Sequence, residues 1–224
     1  PTTAYDPAAA RRMLDAAGYP LSPGCHGGRG RADPAGTCLD LDLVTTSGNT
    51  ARQQAQIAVQ SDLEQVGIFT NLSSVTAGKL FGSFGDGSVL FGHHFDLAMY
   101  GYVGSPEPDG WYSLYHSDCR GACPDENQIP SAADRGQGQN ASGEDNPAVD
   151  RAFDEGRSSV DLVTRTRAYR QAEEELARDL PEIPLYQQVV VNSISSRLNG
   201  LRRNGEVWTF NMYDWYCTGG RCQA

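Results

Sequence analysis

Hydrophobic and polar positions alternate along residues 39–45, and a period of two is typical of a strand with one buried face. Residues 68–75 and 95–103 are also predicted to form strands. Between the first two strands, residues 50–66 have apolar positions at helical spacing. The predicted apolar face of this helix consists of Ile57, Leu63 and Val66, with Ala55, Ala58 and Val59 nearby. The order strand, helix, strand predicts a right-handed crossover and an α/β fold.

Capping residues mark the starts of further helices, since Asp or Asn before Pro is a common helix beginning. Helices are predicted over residues 6–17, 77–84, 146–157 and 161–179. Pro181 and Pro184 follow the last helix and end it, and residues 185–195 are predicted to form a strand. Two long segments, 20–38 and 104–146, have no regular pattern and are predicted to be loops.

The chain contains six cysteines, and an even number favours disulfides and an oxidising compartment. They are Cys25, Cys38, Cys119, Cys123, Cys217 and Cys222. Six cysteines allow fifteen pairings, which the sequence leaves open. The local pairing 25–38, 119–123 and 217–222 is the simplest, because each pair flanks a short loop that contains Gly or Pro.

The overall composition narrows the function classes. The 224 residues carry a net charge of −10, which disfavours binding to nucleic acid or to an anionic membrane surface. No apolar run is long enough to span a membrane. The chain begins at Pro1 without a signal peptide, so we expect a processed or excised piece of a longer protein.

Catalytic and metal-binding motifs are absent from the sequence. No serine has glycine two residues away on both sides, and there is no His-Glu-x-x-His, so we expect no enzyme activity. His116, Cys119 and Cys123, with Asp118 between them, fit no standard zinc spacing. We therefore interpret the two cysteines as a disulfide, and we expect no metal and no cofactor.

Aromatic and small polar side chains cluster where two predicted strands end. Tyr100, Tyr102 and Trp111 lie at and after the end of the third strand, and Thr46, Ser47 and Asn49 follow the first strand. Ligands of open α/β sheets bind beyond the carboxyl ends of the strands. These six residues are therefore the first candidates for binding an organic ligand.

An ordered set of segments resembles the second lobe of family 5 extracellular solute-binding proteins, the peptide, dipeptide and nickel receptors of ABC importers. The resemblance extends in order from about residue 4 to residue 195. The segments are residues 5–19, 53–68, 95–102, 106–109, 146–150, 165–176 and 181–186, the last reading Pro-Glu-Ile-Pro-Leu-Tyr. The resemblance implies a type II periplasmic-binding-protein fold, with a mixed sheet flanked by helices.

The resemblance also implies a domain organisation. Residues 1–204 would form the C-terminal lobe, in which the 104–146 loop lies on the cleft side, and residues 205–224 would return towards the hinge or the first lobe. The first lobe of the same protein would then precede Pro1.

The implied function is ligand capture between two lobes for delivery to an ABC permease. The protein would work outside the cytoplasm, at the cell surface or in the periplasm, as a monomer and as a membrane-anchored lipoprotein. Tyr102 stands where the family has a strand-end Trp, and Val103 and Ser105 would approach the ligand backbone. Ser105 replaces the Asp that captures the peptide amine in oligopeptide-binding members, so Glu107 or Asp109 would have to substitute.

Three alternatives remain open from the sequence. The first is a receptor for a non-peptide ligand, such as a nickel complex, haem or a sugar. The second is a secreted structural or protein-interaction domain without a small-molecule cleft. The third is a secreted hydrolase, for which the sequence has no motif.

Overall fold

The computed structural model describes residues 4–117, 128–132, 136–187, 189, 191–202, 204, 207 and 209–220. Within it the chain forms two compact units, Pro1–Ile183 and Pro184–Ala224. In the described residues, the first unit contains the main sheet and the α-helices, and the second contains a short antiparallel pairing of two strands.

The first unit is built around a parallel sheet of three strands in the order β2-β1-β3. The strands are β1 (Asp40–Thr46), β2 (Phe69–Val75) and β3 (Leu97–Met99). Leu43 of the central strand pairs with Leu72 on one side and Leu97 on the other. The predicted α/β class and the order of these strands are confirmed. The third strand is shorter than predicted, because Met99 pairs with Thr45 and β1 ends one residue later.

Six helices accompany this sheet. They are α1 (Pro7–Ala16), α2 (Thr50–Glu64), α3 (Ala77–Leu80), α4 (Tyr112–Tyr115), α5 (Pro147–Ser158) and α6 (Leu162–Asp179). The side chains of Asp6, Asn49, Asn146 and Asp161 each accept a hydrogen bond from a backbone N–H of the first turn that follows. The cap of α2 is therefore Asn49, the residue directly before the helix.

The inner side of α2 differs from the predicted apolar face. Gln56 is the buried residue of this helix, and its Nε2 donates to the carbonyl oxygens of Leu43 at 2.6 Å and Ser73 at 3.0 Å. Ile57 is 58% exposed. The predicted face of Ile57, Leu63 and Val66 is therefore wrong at Ile57, although Val66 is buried and Leu63 is half-buried. The helix turns Gln56 and Gln60 towards strand carbonyl groups that need hydrogen-bond donors.

Two hydrophobic clusters stabilise the first unit. The first lies between α4, α5 and α6, and its buried members are Tyr112, Val149, Ala152, Phe153, Tyr169 and Ala172. Gly156 allows the helices α5 and α6 to approach, since a Cβ there would lie 2.7 Å from the Tyr169 ring. The second cluster joins the sheet to the following loops through Val44, Leu80, Val89, Leu90 and Ala141.

The loop at residues 20–38 is closed by a disulfide between Cys25 and Cys38, as the local pairing predicted. Arg31 in this loop is buried, and its Nε donates to the Val66 carbonyl oxygen while Nη1 contacts Asp15 at 2.6 Å. Cys217 is also disulfide-bonded. The predicted partners Cys119, Cys123 and Cys222 lie outside the described residues.

The second unit contains β4 (Leu198–Asn199) and β5 (Tyr216–Cys217), which pair antiparallel. Buried Asn211 organises it, accepting from Trp215 Nε1 at 3.1 Å and donating to the Gly200 carbonyl oxygen at 2.6 Å. The predicted strand at 185–195 is not found in the described residues of that range, because none of them has a strand partner there.

Candidate functional site

The carboxyl ends of β1 and β3 lie side by side, because parallel neighbours in a sheet end at the same edge. Thr46 at the end of β1 is buried, and its Oγ1 accepts a hydrogen bond from Arg52 Nη2 at 2.6 Å. Ser47 is exposed and Asn49 caps α2. The structure thus brings the first-strand candidates to the same edge as the residues that follow β3.

An aromatic cluster lies immediately beyond β3. We define it as Tyr100, Tyr102, Trp111 and Tyr115. The rings of Tyr102 and Trp111 are 5.5 Å apart, and those of Trp111 and Tyr115 are 6.4 Å apart and nearly parallel. Tyr102 is 51% exposed, while the other three are half-buried. The cluster therefore presents one aromatic ring to solvent and supports it with others.

Gly104 shapes this cluster. A Cβ at position 104 would lie 2.7 Å from Cζ2 of Trp111, so only glycine lets the indole ring lie against the chain here. Val103 and Ser105 on either side are exposed, Val103 at 92%. The segment after Tyr102 is thus an exposed stretch of chain held close to an aromatic ring.

Glu182 joins two members of the aromatic cluster. Its Oε1 accepts from the Tyr100 hydroxyl and its Oε2 accepts from the Tyr115 hydroxyl, both at 2.8 Å. Burial raises the pKa of both tyrosines well above the usual value, and the charge of Glu182 raises it further. The two phenols therefore remain neutral hydrogen-bond donors at physiological pH.

The acidic candidates after Ser105 have partners on the helices. Glu107 forms an ion pair with Arg165 of α6. Asp109 contacts Arg157 Nε of α5 at 3.4 Å and lies 3.4 Å from the Tyr169 hydroxyl. Both carboxylates are thus compensated by arginines of the same unit.

Two members of this region were missed by the sequence patterns. Glu182 was visible only as the polar residue between two prolines, and Arg52 only as one polar residue of α2. Neither position has a local signal, because each acts through residues at least six positions away along the chain.

His116, the histidine of the predicted zinc candidates, has aromatic and acidic neighbours. His116 is buried and stacks on Tyr112 at 4.3 Å, with Nε2 3.4 Å from Asp154. Asp118, Cys119 and Cys123 lie outside the described residues. Among the described residues, no group of three or more His, Cys, Asp and Glu side chains is arranged to hold a metal ion.

An open depression of about 770 Å³ lies along α6, lined by Leu162, Val163, Thr166, Arg167, Arg170, Gln171, Glu174 and Glu175. None of the predicted ligand residues belongs to its lining. No helix in the described part of the chain is both long and apolar enough to cross a membrane.

Comparison with known proteins finds a curated relative and solved structures that are similar to this chain. Protein XP55 of Streptomyces lividans is 33% identical over 174 residues, which are 78% of this chain and 27% of that protein. The structure of NikZ from Campylobacter jejuni in complex with Ni(L-His) matches with a TM-score of 0.69 and 21% identity. The oligopeptide-binding protein AppA from Bacillus subtilis, in complex with a nonapeptide, matches with a TM-score of 0.71 and 20% identity.

These structural matches cover 94% and 97% of this chain but only 39% and 38% of the two solved chains. The chain thus spans well under half of the length of these relatives. The likeness confirms that the fold is that of a lobe of the periplasmic-binding-protein type.

The description of the matching family is "Bacterial extracellular solute-binding proteins, family 5 Middle", and the match covers residues 1–122. This is more than half of the 224 residues. The chain therefore belongs to family 5 of the bacterial extracellular solute-binding proteins.

Proposed function

We propose that this chain is the ligand-binding C-terminal lobe of the substrate-binding component of an ABC importer. A peptide or a similar small organic ligand would lie against the aromatic cluster, between this lobe and a second one. The observation that carries the proposal is the half-exposed Tyr102 ring, supported by Trp111 at the carboxyl edge of the sheet.

The geometry of this edge suits an extended ligand. The exposed chain from Val103 to Ser105 offers backbone groups beside the Tyr102 ring. Backbone hydrogen bonds hold an extended peptide without regard to its side chains, and an aromatic ring adds apolar contact area. This combination favours a receptor that accepts varied sequences.

The compensated acids limit how a peptide amine is bound. Glu107 and Asp109 already face Arg165 and Arg157, so a ligand amine would have to displace a guanidinium from either one. We therefore propose that the main contribution of this lobe is aromatic and backbone contact, and that the ligand's charged ends are recognised elsewhere in the receptor.

The proposed mechanism is capture by closure. The ligand binds both lobes better in the closed state, and this difference in affinity shifts the population from open to closed. The closed receptor, outside the cytoplasm and anchored to the membrane, then delivers the ligand to its permease. The receptor would act as a monomer.

The ligand can be tested by native mass spectrometry of the receptor purified from its own host. A series of adducts spread over a range of masses would support mixed peptides. A single sharp adduct would instead indicate one specific ligand, such as a metal complex or a sugar, and would overturn the peptide proposal while leaving the receptor proposal intact.

The site can be tested with Tyr102→Ala. We expect roughly fivefold weaker retention of the adducts, because about 1 kcal/mol of ring contact is lost. Tyr5→Ala is the matched control, since Tyr5 is an exposed tyrosine at the start of α1. Equal occupancy in the wild type and in Tyr102→Ala would exclude the aromatic cluster as the ligand site.

A further inference from the structure

The position of Glu182 depends on an unusual helix end. Leu180 follows α6 with a φ of 52°, in the left-handed region that glycine usually occupies at a helix end. Pro181 comes next and cannot continue the helix. The sharp turn formed by these two residues brings Glu182 to the aromatic cluster.

A leucine in the left-handed region is unfavourable and persists only where the surrounding contacts require it. The contacts at the far side of this turn are the two hydrogen bonds from Tyr100 and Tyr115 to the Glu182 carboxylate. One donor follows β3 and the other belongs to α4, so the carboxylate connects three parts of the first unit.

No basic side chain lies within ion-pair distance of Glu182 in the described part of the chain. Its described partners are the two phenol hydroxyls, one on each oxygen. Removing the carboxylate would therefore leave two half-buried hydroxyls without their acceptor.

The effect of Glu182 reaches the exposed Tyr102 ring through neighbouring aromatic rings. Tyr115 lies against Trp111, and Trp111 lies against Tyr102. Tyr100 is two residues before Tyr102 on the same chain segment. Both tyrosines that donate to Glu182 are thus connected to Tyr102, whose ring is proposed to contact the ligand.

We propose that Glu182 is a positioning residue for ligand binding: it fixes the aromatic cluster so that Tyr102 and Trp111 present a preformed surface. This inference rests on the proposed function, since it assigns a role within the same site. Glu182 acts through the tyrosines and does not itself contact the ligand.

The test compares Glu182→Gln and Glu182→Ala in the complete receptor. Glutamine can still accept from one tyrosine and donate to the other, whereas alanine removes both contacts. Glu173→Gln, at an exposed position of α6, is the control for the loss of one negative charge. Penta-alanine is the probe, because it tests backbone and aromatic contact without a charged side chain.

Two readouts are measured. The first is the near-ultraviolet circular dichroism of the unliganded protein, with the contribution of Trp111 identified from Trp111→Phe. The second is the affinity for penta-alanine. We expect Glu182→Ala to lose the Trp111 signal and to bind roughly tenfold more weakly. Glu182→Gln should retain the signal and bind within about threefold of the wild type, and Glu173→Gln should match the wild type in both readouts.

The outcomes separate this inference from the proposed function. An unchanged Trp111 signal in Glu182→Ala, or wild-type affinity despite a changed signal, would overturn the positioning role. An equal loss of affinity in the Gln and Ala variants would also overturn it, since charge alone would then matter. If the wild type does not bind penta-alanine, the peptide proposal fails, and the Trp111 signal alone decides whether Glu182 fixes the cluster.

Discussion

Glu144 lies in an environment that changes the ionisation of its carboxyl group. It is buried, its Oε1 has no hydrogen-bond partner among the described residues, and its backbone N–H donates to Asn140 Oδ1. Burial is the main cause that raises its pKa to about 7, and the carboxylates of Asp179, Asp150 and Asp145 add to the effect. At neutral pH this carboxyl therefore retains its proton far more often than an exposed glutamate does.

The raised pKa predicts how stability depends on pH. Because the folded state holds the Glu144 proton more tightly than the unfolded state, this contribution is complete below the unfolded pKa near 4.5 and is lost as pH rises through about 7. Glu144→Gln should therefore be more stable than the wild type at pH 8, and this advantage should shrink towards pH 5.

Urea unfolding of both proteins at several pH values measures this difference. Glu173→Gln serves as the control, since Glu173 is exposed on α6 and is not among the carboxylates that raise the Glu144 pKa. A difference between the wild type and Glu144→Gln that stays constant from pH 5 to pH 8 would contradict the raised pKa of Glu144.

At the scale of single residues, the sequence could predict side chains whose role follows from their type and local position. Cys25 and Cys38 around a short loop are of this kind, while the binding role of Tyr102 stays a prediction. Glu182 could not be predicted, because its partners Tyr100 and Tyr115 are 82 and 67 residues away along the chain.

The helix α2 shows what a pattern of apolar residues leaves undecided. Val59 and Leu63 are half-buried, as expected, but the most buried residue of the helix is Gln56. Gln60 also faces inwards, with its Nε2 donating to the Thr70 carbonyl oxygen at 2.7 Å. Side-chain donors on the inner side of this helix therefore form hydrogen bonds with carbonyl groups of the strands. Some of its apolar side chains, such as Ile57, face outwards.

This arrangement predicts that replacing a polar residue of α2 costs more stability than replacing its apolar neighbour. Gln56→Leu should destabilise the protein by about 1–3 kcal/mol, because the buried carbonyl group of Leu43 and the part-buried one of Ser73 lose a donor. Ile57→Gln, the opposite change at the next position, should alter stability by no more than about 0.5 kcal/mol because Ile57 is exposed.

Thermal or urea unfolding of the two variants provides the measurement for this element. A larger loss of stability in Ile57→Gln than in Gln56→Leu would show that α2 packs through its apolar residues after all.

For the whole molecule, the loop at 20–38 connects distant parts of the first unit. Arg31 accepts at its carbonyl oxygen from the backbone N–H of Leu39 and donates from its own backbone N–H to Gly67. Its guanidinium contacts Asp15 of α1 and the carbonyl oxygen of Val66. Arg31 lies in the loop that the Cys25–Cys38 disulfide closes. The disulfide therefore helps to keep Arg31 in contact with α1, with the end of α2 and with the start of β1.

Removing this disulfide should therefore lower the stability of the first unit. With a sequence separation of 13, Cys25→Ala/Cys38→Ala should cost about 3 kcal/mol in the chain-entropy account. For a chain of this size, that corresponds to a fall in the melting temperature of roughly 6–12 °C.

Calorimetry of the wild type and the double variant tests this, with mass analysis after alkylation as the check on oxidation. An unchanged melting temperature in the double variant would show that the disulfide does not stabilise the first unit. Alkylation of Cys25 and Cys38 in the native wild type would show that the bond does not form.

The sequence by itself determined the α/β class, the order of β1, α2 and β2, most helix starts and the family resemblance. These follow from local causes: side-chain periodicity, capping residues, and prolines or glycines at helix ends. The tertiary structure decided the length of β3, the inward turn of Gln56 and the pairing of Glu107 and Asp109 with arginines. It also decided the contact of Glu182 with two tyrosines. Each of these depends on contacts between residues that are far apart along the chain. A local sequence pattern carries no information about such contacts.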